Sequence, residues 1–551
     1  MSNVLFTEVT YPLSALLQNI ELGEIGLPEI QRPFVWPNIK VRDLFDSMYK
    51  GFPVGYLLFW SNGSNGVRQI GVSAKQRIPR LLIVDGQQRL TSLYAVLRGI
   101  QVIRSNYKSE RIYIAFRPRD QLFKVTDATI WRDPEYIPDI SELWSGVKPR
   151  NRFVKDFFLR LAESRKVSKV GEEEEDTLSE AIDRLYDLQT YPFTALELSS
   201  TVGEEDVASV FVRINSTGTS LNQADFILTL MSVFWDEGRT DLEKFCRDSR
   251  TPSAGKPSPF NHYIKPDPDQ LLRVSIGYGF HRARLSHLYN ILRGKDLETE
   301  QFSDEKREEQ FTILKEAQAS MINIQNWHDF LLAIQSAGYS GGQMISSMNA
   351  LLYSYVFYLI GKYEYHVDHF TLRKIIARWF FMVALTSRYS GSFESVMEQD
   401  LARLRSTVTA QDFVNVLDRV INDEFTEDYW NISLPNVLET SSARTPPLFA
   451  YYAALNLLNA KVLFSNIDVR VLVNPSIHAT KSALERHHLF PRAYLQNIGI
   501  GDLRDINQVA NFALVEWKDN IDIRDQPPSA YIPQYLERYE GKAQELKELY
   551  V

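Results

Sequence analysis

The sequence predicts an α+β protein built from several domains, and three observations point there. The chain has 551 residues, more than one hydrophobic core serves, so roughly two to four domains follow from length. Residues 1–235 mix apolar runs of strand length with helical stretches. Residues 236–440 are dominated by helical periodicity, and a different texture begins at 441. Composition agrees, since 44% of residues are hydrophobic and 24% charged, ample material for folded cores.

Taken in order, the strand-length runs are Gly55 to Trp60, Leu81 to Val84 and Ile112 to Phe116. Glu172 to Asp176 is a compact acidic run after Lys166 and Lys169, which predicts a solvated loop. In the middle region Ala350 to Ile360 is the densest apolar run. It is too short to span a bilayer and carries Tyr353, Tyr355 and Tyr358, so it predicts a buried helix. Leu372, Ile375, Ile376, Trp379, Phe380 and Val383 recur at helical spacing, and Phe413, Val414, Leu417, Val420 and Ile421 repeat the pattern. The polar stretch Glu439 to Pro447 (ETSSARTPP) predicts a boundary, because paired prolines break periodic structure. A last helix, Leu448 to Leu463, is expected after it, opening a third domain over 441–551.

Several function classes drop out. The single cysteine, Cys246, rules out an intramolecular disulfide and a four-cysteine zinc site, and reads as a buried thiol. Met1 to Leu13 lacks the order of a signal peptide, so a cytoplasmic protein without a membrane segment is expected. A net charge of -8 and a pI near 5.7 argue against non-specific coating of nucleic acid, whose affinity comes from phosphate neutralisation. Lys148, Arg150, Arg152 and Lys155, with Arg282 and Arg284, are local basic patches that read as solvated surface.

Three blocks stand out in the first region: Gln31-Arg32-Pro-Phe-Val-Trp36; Asp85-Gly86-Gln87-Gln88-Arg89 followed by Leu-Thr-Ser-Leu; and Arg213-Ile-Asn215-Ser-Thr-Gly218. In the middle block an apolar strand ends at Asp85, Gly86 permits a tight turn, and a helix follows with Leu90, Leu93, Val96 and Leu97 on one face. A helix N-terminus favours anions, Arg89 would add a bidentate grip, and Asp85 could hold Mg²⁺ or orient a water. Equally, the same polar residues would serve as caps and ion pairs of an ordinary strand–turn–helix.

Together the blocks resemble the N-terminal domain of the GmrSD-type restriction endonucleases, marked by the DGQQR motif and similar to the ParB/sulfiredoxin fold. The resemblance covers roughly the first 235 residues. It implies binding and hydrolysis of a nucleoside triphosphate (ATP, GTP or another), with Asp85, Gly86, Gln87, Gln88 and Arg89 at the phosphates. Gln31 and Arg32 would reach the same pocket, and Arg213 and Asn215 would complete it or brace the turn at Gly218. Trp36 reads as packing.

Near the C-terminus Glu485-Arg-His487-His488-Leu-Phe-Pro491 holds two adjacent histidines, followed by Asn511 and Asn520. Neighbouring strand residues point to opposite faces, so two adjacent histidines serve one site only at a strand end, bulge or turn, and Pro491 suits a strand that is ending. As an isolated dipeptide the pair would be ordinary surface. The segment resembles the HNH, or ββα-metal, nuclease domain, with His488 to Pro491 matching H-x-x-P, Asn511 the central Asn, and Asn520 the last ligand in a helix after Trp517. The resemblance implies His488 as the base for an attacking water, with Asn511 holding its tautomer. His487 and Asn520 would hold Mg²⁺ or Mn²⁺. The position of His487 is usually acidic in this family, and imidazole shifts preference towards softer ions. Glu485 is a second candidate ligand, and Asp519 reads as a helix-start carboxylate.

The expectation is a nucleotide- and metal-dependent DNA endonuclease of antiviral defence, acting on modified phage DNA, for which a homodimer would suit double-strand cutting. The rivals are a nucleotide-gated nucleic-acid-binding protein with an inactive HNH-like domain, and an RNA-directed nuclease.

Overall fold

The computed structural model describes residues 5–26, 34–61, 79–104, 108–199, 202, 227–228, 231, 235–292, 303–439, 445–472 and 484–537. The chain divides into two compact units, Met1–Val233 and Phe234–Val551, and both helix and sheet are present, as expected for an α+β protein.

The first unit is built on a five-stranded mixed sheet. Its strands are β1 (Phe6–Pro12), β2 (Ile25–Gly26), β3 (Leu57–Ser61), β4 (Leu81–Asp85) and, after two small hairpins, β9 (Pro192–Leu198), in the order β1-β9-β3-β4-β2. β9 runs parallel to β3 and β2 parallel to β4, while the β1–β9 and β3–β4 pairs are antiparallel. The central strands LLFWS and LLIVD are buried at four consecutive positions. That explains why they read as continuous apolar runs rather than alternating ones. Helices α1 (Leu13–Glu21), α2 (Asn38–Tyr49) and α3 (Gln87–Arg98) cover the sheet with Leu13, Leu16, Val41, Phe45, Leu90 and Leu93. The two hairpins are β5 (Gln101–Ile103) with β6 (Ser109–Arg111) and β7 (Ile114–Arg117) with β8 (Leu122–Val125).

The acidic run is not a loop. Glu172 to Asp176 opens α5 (Glu172–Tyr186), which follows α4 (Arg150–Arg165). Carboxylates in a first turn face the positive end of the helix dipole, and Leu178, Ala181, Ile182 and Leu185 bury the other face. Lys169 and Arg165 reach Glu172 and Glu174 at 2.9 Å. The basic patches are partly neutralised: Lys148 pairs with Asp156 at 2.7 Å, Arg150 with Asp183, and Arg282 with Glu398 at 3.9 Å.

The second unit is mostly helical. Helix Met348–Tyr363 is buried from Ala350 to Gly361, as the run of apolar residues predicts, and packs on helices Pro268–Phe280 and His369–Thr386. Cys246 is fully buried. The expected helix at Leu448 to Leu463 instead spans Pro446–Leu457. Proline lacks the N–H that a first turn leaves unused, so Pro446 and Pro447 start this helix. Past it, the backbone extends so that the Leu463 N–H donates to the Leu514 carbonyl at 2.9 Å. Leu514 belongs to β11 (Phe512–Glu516), which pairs antiparallel with β10 (Leu484–His488). Helix Trp517–Ile523 follows directly. Among the described residues no helix is long and apolar enough to cross a membrane.

Candidate functional site

The N-terminal motif occupies the turn between β4 and α3. Gly86 has φ +94°, and a Cβ there would run into Leu57 Cδ2, so only glycine makes this turn without strain. As the N-cap of α3, Gly86 has no side-chain oxygen to offer the first-turn N–H groups. Around it each motif side chain faces the protein's own backbone. Gln87, 3% exposed, donates through Nε2 to the Ile83 carbonyl at 3.2 Å, and its Oε1 is buried with no partner. Gln88 Oε1 accepts from the N–H groups of Val35 and Trp36, each at 3.3 Å. Arg89 donates to the Val54 carbonyl at 2.8 Å and to Asp85 at 3.3 Å. Burial lowers the proton affinity of this guanidinium, and the Asp85 charge opposes that.

Two of the three blocks therefore meet. Gln88 ties the Val35–Trp36 backbone to α3, and Arg104 holds the same segment through the Trp36 carbonyl at 2.8 Å and through Asn38. Trp36 packs on the core with Lys40 over its ring, in line with a packing role. Gln31, Arg32, Arg213, Asn215 and Gly218 lie outside the described residues.

The C-terminal histidines end β10, where Pro491 begins the next short helix, Arg492–Asn497. Antiparallel pairing sets His487 opposite Ala513 and His488 opposite Phe512. His487 is buried at 3% exposure, while His488 is half-buried with its ring 4.6 Å from that of Phe512.

Each ring meets an amide oxygen, but at opposite nitrogens. His488 Nε2 lies 2.8 Å from Asn507 Oδ1. An amide oxygen only accepts, so Nε2 carries the proton and Nδ1 is the bare nitrogen. His487 Nδ1 lies 3.0 Å from Asn520 Oδ1, which leaves Nε2 bare, and that atom is buried with no partner. Burial holds His487 below the usual histidine range; the Asn520 bond opposes this and neighbouring His488 adds to it.

Asn511 stands elsewhere than on the ring. Its Oδ1 accepts from the Phe490 N–H at 2.8 Å, and its Nδ2 donates to the carbonyls of Phe490 at 3.2 Å and Ile506 at 2.8 Å. It braces the loop after β10, and Asn507 takes the position on His488. Asn507 carries no sequence signal: it lies 19 residues from His488, and only the fold joins them. Tyr531 is a second unforeseen brace, donating to the Leu489 carbonyl at 2.7 Å.

His487 Nδ1 and Asn520 Oδ1 are joined by their own hydrogen bond, so the ring nitrogen with a bare lone pair is Nε2 and not the one beside the amide. Both groups are uncharged, and among the described residues no three His, Cys, Asp or Glu side chains converge. Asp519 is buried in the first turn of its helix. Nothing is described of the Glu485 side chain.

A domain with a mixed sheet, an uncapped motif turn and a docked Val35–Trp36 backbone thus occupies the first unit. Residues 13–232 match the GmrSD restriction endonuclease N-terminal domain, as the motifs there led one to expect. The chain is also 22% identical to the uncharacterized protein MJ0686 of Methanocaldococcus jannaschii, across 97% of its own length and 88% of that protein's.

Proposed function

We propose that the chain is a nucleotide- and metal-dependent DNA endonuclease of phage defence, acting on modified DNA. In this reading a ParB/sulfiredoxin-like first domain handles the nucleoside triphosphate, and a ββα-metal segment cuts. The observation that carries it is the end of β10, where His488 has its tautomer fixed by Asn507 and His487 is paired with Asn520.

His488 holds its proton on Nε2, so Nδ1 takes the proton of an attacking water. The ring becomes an imidazolium, and the bond to Asn507 strengthens as charge develops. His487 and Asn520 would hold the cation once the His487 proton has moved from Nδ1 to Nε2, and two neutral donors favour Mn²⁺ over Mg²⁺. When bound, it would polarise the scissile phosphate and stabilise the leaving oxygen. Asn511 and Tyr531 keep the loop carrying these groups in place.

In the first domain, the first-turn N–H groups of α3 and the guanidinium of Arg89 form the phosphate-binding side. Gln31, Arg32, Arg213 and Asn215 belong to the same pocket in this reading. The Asp85 carboxylate stands beside them for a cation or water. Nucleotide would compete with Val54 for Arg89 and with the Val35–Trp36 backbone for Gln88, which gives binding a route to move that segment.

A carboxylate-free metal pair favours one rival, a nucleotide-gated binding protein without cutting. The test incubates wild type, His488→Ala and Arg89→Ala with plain and glucosylated-hydroxymethylcytosine DNA and with total RNA, in Mn²⁺, with and without NTP. Cutting of DNA that is lost in His488→Ala and altered by Arg89→Ala supports the proposal. NTP hydrolysis without any cutting supports the rival, and preferential cutting of RNA redirects the substrate.

A further inference from the structure

One aromatic ring beside the candidate active site stands in water on a backbone held from every side. Phe490, two residues after His488, is 48% exposed. Its N–H donates to Asn511 Oδ1 at 2.8 Å and its carbonyl accepts from Asn511 Nδ2 at 3.2 Å. Preceding it, the Leu489 N–H donates to the Asn511 carbonyl at 2.8 Å and the Leu489 carbonyl accepts from Tyr531 at 2.7 Å. Following it, Pro491 fixes its own φ. Core packing gives no reason to pin a segment so thoroughly and leave its largest apolar side chain outside.

Tyr494, one helical turn on, lies nearly parallel to Phe490, with centroids 6.5 Å apart and planes 27° apart. Between them Arg492 is exposed and, among the described residues, has no ion-pair partner. An ordered aromatic ring followed two residues on by an exposed guanidinium with no ion-pair partner among the described residues suits a nucleotide. The ring offers a face to any base, and the cation suits the adjoining phosphate. Because the loop is already fixed, little ordering entropy opposes the contact.

We propose that Phe490, flanked by Tyr494, is the stacking platform for one unpaired nucleobase of the DNA substrate next to the scissile phosphate, with Arg492 on the backbone. This rests on the phosphodiesterase reading of His488. Asn511 then acts as the positioning residue of the platform. A base within a duplex keeps its faces covered, so the site selects DNA that is single-stranded, bulged or has a base turned out of the helix.

The test measures affinity of the full-length His488→Ala protein, in Mn²⁺, for two single-stranded oligomers of equal length and charge. One is oligothymidylate, and the other has a tetrahydrofuran abasic unit at each position. Matching the phosphates holds the ionic contribution constant. The base-bearing strand should bind tighter by roughly tenfold, the order of one base–aromatic stack. Adding Phe490→Ala should abolish that preference, and Phe490→Trp should keep it and show tryptophan quenching on binding. Circular dichroism confirms folding of each variant. A preference untouched by Phe490→Ala, in a protein whose wild type cuts DNA, overturns the platform and leaves the nuclease reading standing. A wild type that neither cuts DNA nor binds either oligomer overturns both.

Discussion

The contact most exposed to test is the hydrogen bond that sets the His488 tautomer. Replacing Asn507 by alanine removes the only acceptor described on Nε2, at 2.8 Å, a normal length for an N–H···O bond. In the resting enzyme such a bond contributes about 1 kcal/mol, so folding should barely change. In the transition state the ring carries charge, and a bond to a charged group is worth about 1.5–3 kcal/mol. Each 1.36 kcal/mol of barrier is about tenfold in rate. Only the difference of about 0.5–2 kcal/mol acts on the rate, so Asn507→Ala should lower kcat/KM by roughly two- to thirtyfold, far short of the loss in His488→Ala. Asn507→Asp separates orientation from packing. Its carboxylate would stabilise the imidazolium and move the acidic limb of the rate profile upward by about one pH unit or more. The assay is plasmid nicking against pH in Mn²⁺, with thermal melts to check folding. Wild-type kcat/KM in Asn507→Ala, or an unmoved acidic limb in Asn507→Asp, would refute the role given to Asn507.

Two further outcomes follow from the geometry. Gly86→Ala forces a side chain into left-handed backbone and against Leu57; the two penalties together are about 2–5 kcal/mol. Thermal melting should report a transition lowered by several degrees and lost NTP protection, and an unchanged melt would show that the turn relaxes. His487 has its proton affinity lowered by burial, so the unfolded chain binds more protons than the folded one at and below the ordinary histidine value of about 6.5. Stability of the second unit should then fall as pH drops through that range. His487→Gln should flatten the slope between about pH 7 and 5.5 in urea melts, and a slope retained in that variant would place the titration elsewhere.

What could be read from the sequence was what is decided locally. The turn at Asp85–Gly86 was legible because an apolar strand, a glycine and a helical stripe succeed one another within a few residues. The strand end at His488 was legible because Pro491 cannot continue a ladder. One reading failed where one residue type serves two local purposes. Acidic runs suit loops and helix starts alike, and the buried face of α5 decided for the helix. Around Glu439 to Pro447 one helix ends at Leu438 and the next begins at Pro446, so there only the limits of the following helix differ. Asn507 was not legible at all. It lies 19 residues from His488, and only the path from β10 through the intervening helices to β11 sets it on the ring.

The two histidines show how a neutral environment divides two roles between identical side chains. They are neighbours at the end of one strand, one buried and one half-buried. Each meets an asparagine oxygen that accepts but carries no charge, so each proton is located without the ring being driven to imidazolium. The acceptor lies on Nε2 in His488 and on Nδ1 in His487. His488 is thereby left with a bare Nδ1, suited to take a proton, whereas His487 is left with a bare Nε2. A carboxylate in place of either asparagine would bias its ring towards the charged form, which neither accepts a proton nor binds a cation. Exchanging either asparagine for aspartate should therefore harm the site more at pH 6 than at pH 8.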